Sequence, residues 1–321
     1  MARREAIGVE TWARWAAGVL GLIGLGAGGT AVFVTDLEAG PVALIVVGAL
    51  LLFIGLAGVM PTRLKIGDNE AEWLREIGES VERIEEKAPE LSAILDSGGA
   101  SLENILSGRA VEAEPTLAQA GAKVGSLVEE VRFVSARAGQ DRVPPEALLE
   151  IARWYLTKQD WSEAARYLDA YVRRVDADWE VYFSLGVANA NRRQGATSDL
   201  AALRAYDEAL RLMPTDGPTR LTARLYSHRS GIKKRLGRLA EAKADAELAK
   251  RLAEQRYDQI DATYNLACIE AMSGNREAAL RQIGELKQLG GTDHVLGHLN
   301  DYFSSIADDP EFRSLVGLDP R

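Results

Sequence analysis

The chain opens with two long apolar stretches that carry no charge, and several helical rhythms follow them. No charged residue occurs over positions 15–35 or 39–62. Each run is about the ~20 residues that a helix needs to cross ~30 Å of hydrocarbon. Between them lies the polar turn T-D-L-E-A-G-P (35–41), whose Pro41 suits the first turn of a second helix. The pattern predicts a transmembrane hairpin in residues 1–62, with spans at about 12–34 and 41–60. Residues 63–143 follow as a helical linker region. In it Trp73, Ile77, Val81 and Ile84 form one apolar stripe, with Pro89 marking the end of that helix. Positions 91–115 are broken by Gly, Ser and Pro, which predicts short helices and loops. Leu117, Val124, Leu127, Val131 and Val134 then return near a 3.5-residue period. That stripe suits either a short coiled coil joining copies of the chain or packing against the next domain.

Residues 144–321 form the last part, in which the chain repeats from residue 145 with a period near 34. Leu148, Ile151, Ala152 and Tyr155 share one face of a first helix; Trp161, Ala164, Leu168 and Tyr171 line a second. The next unit matches with Tyr182, Leu185, Gly186, Ala202, Tyr206, Ala209 and Pro214. Its gap from Gly186 to Ala202 is four longer than that from Ala152 to Ala164, so G-A-T-S (195–198) predicts a lengthened turn. A third unit covers 223–256 around Gly237, and a fourth begins near Ile260 with Leu266, Ala267, Gly274 and Ala279 in register. The final segment (293–317) suits closing helices, with Asp309-Pro310 starting the last.

These units resemble the tetratricopeptide repeat over roughly 145–293. The closest stretches are Y-F-S-L-G (182–186) with Y-D-E-A-L-R-L-M-P (206–214), and N-L-A (265–267) with G-N-R-E-A-A (274–279). The resemblance implies an all-α chain whose C-terminal part is an α-solenoid with a concave peptide-binding groove. It places Arg153, Asn191, Arg224, Ser227, Lys234, Arg235, Asp261 and Tyr264 on the groove wall. Four of these are basic, so an acidic peptide or a peptide carboxylate is the partner implied. Chaperone-binding members hold a carboxylate with Lys-x-x-x-Asn in the first helix. Leu149 and Arg153 stand there in this chain, which disfavours chaperone tails.

The hairpin reading must displace two rivals. Residues 24–29, GLGAGG, match the glycine spacing of a dinucleotide-binding turn. That site needs a second strand ending in an acidic residue, and 41–60 offers none. A cleaved signal peptide predicts one apolar run followed by a polar protein, and the second run opposes it. The glycines have a use in lipid instead. Ala17 with Gly21, and Gly24 with Gly28, are small-xxx-small pairs that let helices pack closely. Arg3, Arg4 and Arg14 precede the first span, Arg63 and Lys65 follow the second, and the connecting loop holds only Asp36 and Glu38. Both termini are therefore expected inside an inner (plasma) membrane.

Charge and chemistry narrow the rest. A net charge of −9 over 321 residues argues against nucleic acid as partner, although S-H-R-S-G-I-K-K-R-L-G-R (227–238) is strongly basic. That stretch reads as a solvated face or a groove wall. His294 and His298 stand four apart without a third ligand, and Cys268 sits among small apolar residues. No catalytic, metal or cofactor motif appears, so no enzyme and no cofactor is expected. The expectation is a membrane-anchored scaffold or adaptor whose cytoplasmic repeat domain binds a protein or peptide. The alternative is an oligomeric membrane assembly or pore component with the repeats as sensor or gate.

Overall fold

The computed structural model describes residues 69–107, 114–215 and 217–318. The expected hairpin and its two spans lie outside the described residues. So do the four expected transmembrane packing positions, Ala17, Gly21, Gly24 and Gly28. Every regular element among the described residues is a helix. None of those helices is long and apolar enough to cross a membrane. Contacts divide the chain into two units, Met1–Trp73 and Leu74–Arg321, and the helical array belongs to the second.

Helix α1 (Asn69–Ser97) continues the apolar stripe past its expected end. Pro89 lies inside it, exposed, where it removes one backbone donor. The helix persists because Ala88, Leu91 and Leu95 are all buried. Burial of three apolar side chains outweighs one lost hydrogen bond. Pro89→Ala should therefore stabilise the fold, by about 1–3 kcal/mol. Urea unfolding would register this as a higher midpoint at unchanged slope. Gly99, in the left-handed conformation at φ 71°, turns the chain out of α1. Ser101 then caps the short helix α2 (Leu102–Leu106) by accepting a bond from the Asn104 N–H at 3.2 Å.

Helix α3 (Glu114–Ala138) runs antiparallel to α1. Arg137 meets Glu76 at 3.0 Å, Arg83 meets Glu130 at 2.7 Å, and Lys123 pairs with Glu90. Exposed pairs of this kind contribute little, so the seam rests on apolar burial. Ile84, Leu91, Leu95, Val124, Leu127, Val131 and Val134 join one core that continues into the first repeat unit. Val124, Leu127, Val131 and Val134 of the expected stripe are thus occupied within the chain.

Four helix pairs follow: α4 (Pro145–Thr157) with α5 (Trp161–Val172), and α6 (Trp179–Asn191) with α7 (Ala196–Leu212). Then come α8 (Thr219–Arg235) with α9 (Leu239–Leu252), and α10 (Arg256–Met272) with α11 (Arg276–Leu289). Each helix packs on the one before it. Asp160 and Asp178 cap α5 and α6, accepting from the N–H groups of Glu163 and Val181. Ala152 and Ala164, and Ala267 and Ala279, are fully buried where paired helices approach. In the second unit most of the extra length enters a helix rather than a turn. Gly195 (φ 73°) precedes α7, and Ala196, Thr197 and Ser198 form its first turn. Ser198 ties that turn down, donating to the Gly195 carbonyl and accepting from the Gln194 N–H.

The short helices α12 (Thr292–Gly297), α13 (Leu299–Tyr302) and α14 (Pro310–Val316) close the array. Asp309 caps α14, accepting from the N–H groups of Glu311 and Phe312. Val295, Phe303, Phe312 and Val316 bury against Leu280, Ile283 and Leu286 of α11. A terminal repeat needs such a cover because it has no neighbour to bury its face.

Candidate functional site

The first helices of the units, α4, α6 and α8, present their common face to residues of their own chain. Helix α2 lies on α4 and α6. Leu102 enters the core around α4, and Leu106 enters the next core beside Phe183, Leu221 and Leu225. The backbone ends of this segment are held by arginines. Arg153 donates to the Ala100 carbonyl from Nε at 3.2 Å and from Nη2 at 3.0 Å. Arg220 and Arg224 both donate to the Ser107 carbonyl, at 2.8 and 3.2 Å. Cations at the C-terminal end of α2 complement its exposed carbonyls and its dipole.

Arg153 is 6% exposed and also grips Glu150 at 2.8 Å and Asp96 at 2.5 Å. Burial pushes the Glu150 carboxyl up, against the pull of Arg153. Arg153 is consequently a structural cation, enclosed by its own chain. Arg224 pairs with buried Asp258 at 3.2 Å, with Arg220 on the other carboxylate oxygen at 3.4 Å.

Much of the basic stretch 227–238 is likewise paired within the chain, although Arg235 and Arg238 stay exposed. Arg229 forks onto Asp245 at 2.8 and 2.7 Å and reaches Asp207 at 2.9 Å. Lys233, itself buried, meets Asp245 at 2.9 Å. Arg235 holds Asp199 at 2.6 Å and the Ala190 carbonyl at 3.2 Å. These bonds tie α8 to α6, α7 and α9. Ser230 stands where the repeat pattern expects a small residue, and its hydroxyl donates to the Ala242 carbonyl at 2.8 Å. His228 packs edge-on to Phe183, and burial lowers its pKa to about 3.

Beyond the self-occupied part lies a cavity of about 440 Å³, between α8, α10 and the closing helices. Lys234, Arg235 and Tyr264 of the expected groove wall line it, joined by Arg193, Asp199 and Tyr302. Lys234 is 4% exposed. Its Nζ donates to Asn265 Oδ1 at 3.1 Å and lies 4.9 and 4.3 Å from the ring centres of Tyr264 and Tyr302. Asn265 is fixed in turn by donating to the Ser227 carbonyl and hydroxyl at 3.1 and 3.2 Å. Burial pushes the Lys234 amine down and the neighbouring Cys268 thiol up. His294 and His298 flank the Tyr264 ring at 5.8 and 6.1 Å, and His298 Nδ1 meets Asp301 at 3.1 Å. Among the described residues, no three His, Cys, Asp or Glu side chains are grouped as a metal would need.

The remaining expected positions scatter. Asn191 is exposed and donates to the Val187 carbonyl of its own helix at 2.9 Å. Ser227 is buried beneath Asn265. Asp261 lies beside Arg224 and Asp258, and burial raises its pKa to about 6. Its folded pKa exceeds the unfolded one, so its stabilising contribution is complete below about pH 4 and is lost as pH rises through about 6. Asp261→Asn should hence raise stability near neutral pH by on the order of 1–2 kcal/mol and change little at about pH 4. Thermal melts at the two pH values would check this.

Sequence reasoning did not single out Arg193, Asn265 and Tyr302 of the cavity, nor the segment 98–107. The one usable signal for that segment was Ser101 preceding Leu102 and Leu106, a capped helical turn with an i, i+4 apolar pair. No protein-family model matches the chain, and no curated protein matches it.

Proposed function

We propose that the protein is a membrane-anchored adaptor whose helical repeat array, of tetratricopeptide type, binds a protein partner through the cavity beside Lys234. Two uncharged runs of spanning length supply the anchor, with both termini on the cytoplasmic side of an inner (plasma) membrane. The observation that carries the reading is the contrast along the first-helix face. Its N-terminal part is filled by residues 98–107, while its C-terminal part opens as a cavity lined by cations and two tyrosines. A concave site with a few convergent polar groups and apolar walls suits a ligand. Here the ligand is a segment of a protein that presents a carboxylate, and a tether raises its effective concentration at the membrane.

Paired fusions after Arg321 test the anchor and its orientation. A green fluorescent protein fusion should fluoresce in the membrane fraction, and an alkaline phosphatase fusion should be inactive. An active phosphatase, or a fluorescent fusion recovered wholly in the soluble fraction, contradicts the proposal.

A further inference from the structure

Among the described residues, the buried cationic side chains are Arg153, Lys233 and Lys234. Arg153 holds Glu150 and Asp96, and Lys233 holds Asp245. Lys234 has no carboxylate partner among the described residues: its neighbours there are the Asn265 amide oxygen, the Cys268 thiol and two aromatic faces. Such neighbours return only part of the solvation an ammonium loses on burial. This cation faces a cavity with solvent-exposed residues, Arg193 and Asp301, at its rim.

The lining charges fix what can enter. Arg193, Lys234 and Arg235 face Asp199 and Asp301. Arg235 is committed to Asp199, and Asp301 pairs with His298. Counting arginine and lysine against aspartate, three positive charges stand against two negative ones, and the excess of one matches a monoanion. A phosphate dianion would bring excess negative charge close to two carboxylates. The Tyr264 and Tyr302 faces offer apolar area next to the amine.

We propose that this cavity binds a monocarboxylate joined to an apolar or aromatic group, its carboxylate on Lys234 Nζ and its apolar part against Tyr264 and Tyr302. The inference deepens the adaptor reading and shares with it the assumption that this cavity is the binding surface. A peptide C-terminus and a free organic acid present the same chemistry.

The test uses the full-length chain in detergent micelles and calorimetric titration. The probes are 3-phenylpropionate, its neutral amide, inorganic phosphate, and acetyl-Ala-Ala-Phe with a free or an amidated C-terminus. At least one carboxylate probe should bind saturably, and its amide at least about ten-fold more weakly. Lys234→Met should abolish that preference and, without probe, melt at a higher temperature than the parent. Equal binding of acid and amide, no binding of either acid at millimolar concentration, or phosphate binding as tightly as the acids would overturn the proposal. Binding of the free acid but of neither peptide upholds the carboxylate site and removes the peptide reading. The acid-against-amide comparison on the unaltered chain decides the matter even if the variant does not fold.

Discussion

Replacing Arg153 by methionine should cost about 3–5 kcal/mol of folding stability. Arg153 lies under α2 with two bonds to the Ala100 carbonyl, one to Glu150 and one to Asp96. Methionine fills the volume of the stem but leaves the Glu150 carboxylate buried without its cation. It also leaves the Ala100 carbonyl without its two arginine donors. The large effect is the cost of stranding these groups rather than the value of the ion pair itself. Glu150→Gln with Arg153→Met should accordingly recover at least half of the loss, because no buried charge is left unpaired. Urea unfolding of the four members of this cycle measures it. Hydrogen exchange adds a local readout, since amides at 98–107 should lose protection in the single variant. A loss below about 1 kcal/mol would mean that Arg153 is an ordinary surface cation.

Gly186→Ala should be comparably severe. A Cβ at this position would stand 2.3 and 2.4 Å from Cε1 and Cδ1 of Tyr206. That ring cannot step aside: it is fully buried, with Phe183 at 5.9 Å and His228 at 6.1 Å between ring centres. Overpacking of a rigid core costs about 1–3 kcal/mol, and the overlap here puts the expectation at or above the upper end. Tyr206→Leu, destabilising alone, should offset part of the Gly186→Ala loss in the double variant by making room. Strict additivity of the two changes would show that the ring and the glycine are not in contact.

Much of the repeat unit was legible because its determinants are local. Small residues at 152, 164, 186 and 202 set helix approach, and Asp160 and Asp178 start helices a few positions away. Gly237 and Gly274 take the left-handed conformation that ends a first helix. Pro89 misled because propensity is a local cost, whereas the burial of Leu91 and Leu95 that outweighs it is tertiary. The insertion near Gly195 was visible as length, but only packing decides whether residues extend a turn or a helix. The candidate site was less legible for the same reason. Arg229 and Arg235 read as unpaired cations until Asp245, Asp207 and Asp199 are placed beside them, 16, 22 and 36 residues away in sequence. Arg153 finds Asp96 57 residues back and Ser92 61 back. Lys234 is set apart from its neighbour Lys233 only by what surrounds it, which no periodicity records.

The central claim is that the chain fills the N-terminal half of its own groove and leaves the cavity at Lys234 for a partner. Photo-crosslinking in membranes tests it most directly, with benzoylphenylalanine placed singly at Arg193, Arg220 and Leu200. Arg193 lines the cavity, Arg220 touches Ser107, and Leu200 is exposed on α7 outside the cavity lining. The account predicts a protein adduct from position 193, an internal link to residues 98–107 from position 220, and no specific adduct from position 200. A partner adduct from position 220 with none from position 193 would contradict it.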